Sequence, residues 1–150
     1  MGDLEIRPTA AADIPAVVAM LADDPLGAQR ESPEDLGPYL AAFERLRTDP
    51  NQHLMVAVRE GRVVGTLQLT IVPGLSRRGA TRSLVEGVRV HGDERGSGLG
   101  TQLIEWAIDE SRRQGCHLVQ LTSDKTRSDA HRFYERLGFS ASHTGFKLQL

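Results

Sequence analysis

The segment His91 to Gly100, HGDERGSGLG, constrains this chain more than any other stretch. It sets three glycines at alternate positions, Gly96, Gly98 and Gly100, beside Arg95, between a valine-rich run and an amphipathic one. Glycine lets backbone N–H groups approach a guest with no Cβ in the way, and the head of a helix adds partial positive charge. The segment therefore reads as a strand-to-helix turn that cradles an anion, with phosphate as its natural guest. It is not a Walker loop, because no Gly-Lys-Ser/Thr follows. A dinucleotide fingerprint would need glycine where Thr101 stands and an acidic residue about 20 positions on, and Asp124 lies too far along.

The flanks support the turn. Arg82 to Val90 alternates valines as a strand does. From Gly98, residues Leu99, Leu103, Ile104, Ala107 and Ile108 form the apolar stripe of a helix that Gly115 closes. Upstream, Leu4 to Arg7 reads as a strand ended by Pro8, and Thr9 is placed to cap a helix through Asp13, Ile14, Val17, Val18 and Leu21. Ser32, with Pro33 at the first helical position, is placed to cap a second helix ending near Asp49-Pro50. Leu54 to Val58 and Val63 to Val72 form an antiparallel pair about a Glu60-Gly61 turn. Downstream come a short strand, Leu118 to Leu121, a helix from Ser128 to Leu137 stopped by Gly138, and one or two strands over Phe139 to Leu150.

Other features exclude whole classes. The 150 residues suit one domain, 1–150, around one core. A net charge of −2 with both signs scattered gives no drive toward nucleic acid or an anionic membrane. No apolar run reaches spanning length and the N-terminus lacks a signal pattern, so a cytoplasmic location is expected. The lone Cys116 rules out an internal disulfide, and the five histidines show no ligand spacing, so no metal is expected.

Arg95-Gly96-Ser97-Gly98-Leu99-Gly100 resembles the Arg/Gln-x-x-Gly-x-Gly/Ala signature of GNAT superfamily N-acetyltransferases. Ala130-His131-Arg132-Phe133-Tyr134-Glu135-Arg136-Leu137-Gly138-Phe139 is similar to that family's Ala-x-x-Phe-Tyr-x-x-x-Gly-Phe element, and the match in order and spacing runs from Leu84 to Phe139. The resemblance implies the α/β (α+β mixed) GNAT acyl-CoA N-acyltransferase fold. Its central mixed, mostly antiparallel sheet has about six to seven strands and is flanked by about four helices. It implies acetyl-CoA as cosubstrate, a small-molecule amine as acceptor, and a homodimer among the states open to the chain. Arg95, Gly96, Ser97, Gly98, Leu99, Gly100 and Thr101 would hold the coenzyme A diphosphate, and Val88, Arg89 and Val90 its pantetheine arm, with Ala130 and Phe133 beside it. One departure stands at Arg127, where many members carry asparagine. Arg127, with Lys125, would meet the coenzyme's phosphates or remain a solvated cation.

Acetyl transfer to an amine needs a deprotonated amine, a stabilised oxyanion and a proton for the thiolate. Strict alternation puts Glu86 on the row of Leu84, Val88 and Val90, where partial burial would make it a better base; its alternative is a salt bridge with Arg82 or Arg89. Gly87 suits a β-bulge, which would alter that facing and leave the Val88 N–H as the oxyanion donor. The resemblance gives Tyr134 the role of general acid; core packing beside Phe133 is its alternative. His131 is the histidine able to line the site. Arg77, Arg78 and Arg82 would suit an acceptor bearing an anionic group, and Ser128 to Tyr134 also looks somewhat like aminoalkylphosphonate N-acetyltransferases. The acidic run Asp23, Asp24, Glu31, Glu34 and Asp35 points instead to polyamines, aminoglycosides or protein N-termini. A peptide amine as acceptor, or a non-catalytic acyl-CoA sensor of the same fold, stay open.

Overall fold

The computed structural model describes residues 2–150, which divide into two compact units, 2–120 and 121–150. In the first, β1 (Leu4–Pro8), β2 (Gln52–Arg59), β3 (Arg62–Val72), β4 (Arg82–Val90) and β5 (Leu118–Leu121) lie in chain order across one sheet, β5 running on into the second unit. Each of the first three pairs antiparallel with the next. The β2–β3 turn forms because Glu60 and Gly61 both take positive φ, 53° and 74°, the twist that suits a two-residue hairpin.

Helices cover both faces. On one, α1 (Ile14–Ala22) and α3 (Gly37–Arg47) contribute Ile14, Val18 and Phe43 to a cluster against Leu54 of β2. On the other, α5 (Leu99–Arg113) meets β4 through Ser83 Oγ and Ser111 Oγ, 2.7 Å apart and both buried. Two single-turn pieces, α2 (Gly27–Arg30) and α4 (Ser76–Gly79), lie in connections, α4 as a left-handed turn rather than a true helix. The second unit holds α6 (Ser128–Arg136), ended near Gly138 at φ +99°.

Three expectations are corrected. Thr9 caps nothing: its Oγ1 donates to Leu54 O at 2.9 Å, and a 3-10 turn over Ala11–Asp13 leads into α1 instead. There Asp13 accepts from Ala10 N and from Arg7 Nη1, both at 2.7 Å, and so secures the helix entry. The helix expected from Ser32 begins at Gly37, since Pro38 supplies the favoured first-turn proline; Asp35 accepts from Gly37 N at 3.1 Å, and Ser32 N donates to the Tyr39 hydroxyl. Finally, no strand forms over residues 139–150, so among the described residues the sheet has five strands rather than six to seven. Phe146, Leu148 and Leu150 alternate as a strand's would, but they stand exposed, because alternation without a paired neighbour leaves no ladder to join.

Candidate active site

The centre of the site is a break in β4. Along β3 and β4 the register pairs Leu69 with Val85 and Gln68 with Glu86, then resumes at Thr66 with Arg89. Gly87 and Val88 together oppose the single residue Leu67, which is a β-bulge, and Gly87 accepts it at φ +61°. The bulge expected at Gly87 is therefore present.

Its consequence overturns the expected burial of Glu86. Opposed residues share a face, so Glu86 lies with Leu84, Gln68 and Thr70, while Val90, paired with Gly65, belongs to the α5 face with Val85 and Ser83. Glu86 is exposed, not partly buried, and the bulge brings Arg89 onto its face in place of Val88 and Val90. Nor does an ion pair engage Glu86 among the described residues. Arg89 Nε lies 3.3 Å from Asp24 Oδ2, and Arg82 Nη1 lies toward Gly74. A solvated carboxylate on the α1 side of the sheet is the result, beside Gly87, whose missing Cβ would come 3.8 Å from Leu21 of α1.

The glycine turn leaves β4 at its other end. His91 N donates to Val64 O at 2.8 Å, and a 3-10 turn over Gly92–Glu94 follows. Arg59 of β2 places Nη1 3.1 Å from both Glu94 oxygens, with both side chains largely buried, and Arg62 reaches Asp93 at 3.1 Å. The turn is thus tied to the β2–β3 hairpin. Not all its amides are on offer: Arg95 N donates to Gly92 O and Ser97 N to Glu94 O. The open donors lie further on. Gly98, at φ +84°, carries no side-chain cap, and the bond from Gln102 N to Gly98 O at 3.2 Å leaves the Leu99, Gly100 and Thr101 N–H groups ahead of the helical ladder. The Arg95 guanidinium, mostly exposed, rests 3.4 Å from Asp23.

In the second unit, Tyr134 is half-buried between two aromatic neighbours, Phe133 at 5.1 Å and Phe139 at 5.9 Å, both edge-on. Ala130 and Phe133 are half-buried on the same helix. Asp124 Oδ1 accepts from Thr126 N at 2.9 Å, and His131 Nε2 lies 2.9 Å from Asp124 O, so His131 clasps the loop leading to α6. Arg127 is the residue preceding that helix and is half-buried.

Two further features lie outside the bulge and the glycine turn. Arg77 and Arg78 are exposed on α4. A cavity of about 200 Å³ lined by Ile108, Ser111, Cys116 and His117 includes neither Glu86 nor the glycine turn, and burial pushes the Cys116 thiol above its ordinary range.

The uncapped amides and the bulged strand belong to the first unit and the aromatic cluster of α6 to the second. The acetyltransferase (GNAT) family model matches residues 15–139. The chain belongs to this family. Its kinship extends over nearly the whole length: it is 33% identical over 150 residues to a glucosamine 6-phosphate N-acetyltransferase of Trypanosoma brucei brucei, covering 99% of this chain and 97% of that protein. Over 112 residues it is 37% identical to an aminoalkylphosphonate N-acetyltransferase of Salmonella typhimurium, covering 75% of this chain and 72% of the relative. A crystal structure described as a transcriptional regulator from Bacillus halodurans C-125 superposes with TM-score 0.94 at 45% identity, over 99% of this chain and 100% of that one. The GNAT chain is an acyltransferase enzyme, and members of its family use acetyl-CoA as cosubstrate. Among the described residues no helix is long and apolar enough to cross a membrane.

Proposed function

We propose that the chain works as one N-acetyltransferase domain over residues 1–150, in the cytoplasm, moving the acetyl group of acetyl-CoA to the primary amine of a small molecule that bears an anionic group. The observation that carries this reading is the pairing, on one strand, of an exposed unpaired Glu86 at a bulge with uncapped helix amides beyond the strand's end. The anionic preference draws on the two named relatives, whose acceptors carry phosphonate or phosphate, and on Arg77, Arg78 and Arg82 at the strand's entry.

The amides of Gly98 to Thr101 suit a diphosphate, because they gather donors where the helix dipole is positive. Arg95 adds charge by leaving Asp23. Bound there, acetyl-CoA supplies an acyl thioester. The chain's own groups do the rest. Val88, Arg89 and Val90 offer backbone to the pantetheine arm as an adjoining strand, and the Val88 N–H is offered to the carbonyl oxygen. Glu86 takes the proton that an alkylammonium must lose, directly or through a water. Tyr134 gives a proton to the departing sulfur. Arg127 and Lys125 face the coenzyme's remaining phosphate charge.

The test is thiol release by purified protein with acetyl-CoA against aminoalkylphosphonates, amino sugar phosphates, amino acids, polyamines, aminoglycosides and short peptides. Fastest turnover with the phosphate- and phosphonate-bearing amines is expected. Tyr134→Phe should lower kcat with little change in acetyl-CoA affinity; unchanged turnover would remove its acid role. A second reading, a non-catalytic acyl-CoA sensor, draws on the similar structure described as a regulator. Tight acetyl-CoA binding with no thiol release across the panel would favour it.

A further inference from the structure

Beside Glu86 the sheet presents an amide that the proposed chemistry does not yet use. Gln68 is the direct register partner of Glu86, and opposed residues on neighbouring strands hold their Cβ atoms about 5 Å apart on the same face. The Gln68 Nε2 donates to Gln52 Oε1 at 2.8 Å, and Gln52 Oε1 also accepts from Thr70 Oγ1 at 3.0 Å. Gln52 is itself paired with Thr70, so the three form a polar cluster on the face that carries Glu86. With its NH₂ group committed to Gln52, the Gln68 amide has its carbonyl oxygen left to offer; no bond to that oxygen exists among the described residues.

Two acceptors therefore stand side by side at the bulge: a carboxylate with no ion pair and an amide oxygen with no donor. An anionic ligand would be repelled there. An ammonium group, with three N–H donors and a positive charge, satisfies both.

We propose that Gln68 Oε1 and the Glu86 carboxylate together cradle the acceptor's amine, with Gln52 as a positioning residue that holds the Gln68 amide oxygen outward. This rests on the reading that the chain acetylates a small amine, and deepens it. When one ammonium proton passes to Glu86, an N–H bond to Gln68 persists and keeps the amine from rotating as its lone pair is exposed. The anionic end of the acceptor must then extend away from these two residues, toward the cationic side chains.

The experiment compares Gln68→Met, Gln68→Glu and Gln52→Leu with the wild type, each checked for folding by thermal melt. Steady-state thiol release is measured with acetyl-CoA and either 2-aminoethylphosphonate or glucosamine 6-phosphate. Calorimetry gives the Kd of the same amine on protein saturated with coenzyme A. Gln68→Met, close in shape but lacking the acceptor, should raise the KM for amine about 10- to 100-fold and leave acetyl-CoA affinity unchanged. Gln68→Glu keeps an acceptor oxygen, and Gln52 can turn its own amide to donate to it; amine KM should stay within about threefold of wild type. Gln52→Leu should fall between them, with its loss in amine KM rather than in acetyl-CoA affinity.

A wild-type amine KM in Gln68→Met would overturn the cradle. So would a Gln68→Glu variant as impaired as Gln68→Met, since an acceptor oxygen at that place would then be of no use to the amine. Amine binding that weakens in Gln68→Met without any turnover in the wild type would uphold the cradle and sink acetyl transfer. Turnover indifferent to Gln68 would do the reverse.

Discussion

Strand β4 is entered and left through left-handed backbone, yet the two turns are made differently. At the exit, φ values of 80° and 84° fall on Gly96 and Gly98; at the entry, 56° and 62° fall on Arg77 and Arg78, ahead of Gly79 at 74°. For an L-residue that conformation costs about 1–2 kcal/mol, and glycine escapes it. The exit turn is also pinned by Arg59 to Glu94, whereas both entry arginines are exposed. The exit is thus an unstrained, anchored cradle, and the entry is a strained turn that keeps two cations in solvent. The lesson is that backbone ease marks where main-chain amides are needed, while strain is accepted where side-chain charge is the useful part.

The contrast can be broken hardest at the exit. Gly98→Val forces a β-branched residue to φ +84° and should weaken coenzyme A binding by about 100-fold or more, read by calorimetry; an unchanged Kd would remove the amide cradle. Next, Arg59→Ala leaves Glu94 largely buried without its cation and should destabilise the fold by about 2 kcal/mol in urea unfolding, with coenzyme affinity falling too as the turn loosens. If only stability falls, the anchoring has no bearing on the ligand. A control away from β4 sharpens the comparison. The Arg7 hydrogen bond holds the Asp13 carboxyl below its ordinary value, against burial acting the other way. Its folded value being depressed, the stability it contributes is present above the unfolded value of 3.8 and is lost as pH falls through the folded one. Asp13→Asn should therefore cost about 1 kcal/mol at neutral pH and flatten the acid limb of a stability profile, leaving coenzyme affinity untouched. The smallest effect belongs to the entry: Arg77→Gly should stabilise by about 0.5–1 kcal/mol, while the amine KM for an anionic acceptor rises a few-fold. A loss of stability there would mean the turn is not strained.

How far the sequence carried the reading depends on whether a signal was local. The bulge was legible because Gly87 interrupts a valine-rich run, and the exit turn because alternate glycines precede an apolar stripe. Strands β3, β4 and β5 and helix α6 lie within a residue of their expected limits for the same reason. What failed was non-local. The burial of Glu86 hung on how one extra residue resets facing and on what covers that face. Thr9 looked like a cap until Leu54 O, 45 positions away, proved the better partner. Residues 139–150 alternate, but pairing needs a neighbour that alternation cannot name. Gln68 escaped notice altogether, since a glutamine in a strand signals nothing until the register sets it opposite Glu86.

The single surplus residue at Gly87 has a consequence for how this strand could ever change. It acts as a phase shifter: everything before it keeps one alternation, and everything after it the other. Were the strand to pair straight through with no residue lost, Arg89 would slip opposite Gly65 and turn from Asp24 into the apolar layer beneath α5 while Val90 turned outward, at the cost of both the packing and the path to the glycine turn. Deleting Gly87 outright would instead leave Val88 opposite Leu67 and Arg89 opposite Thr66, keeping that facing but erasing the left-handed break beside Glu86.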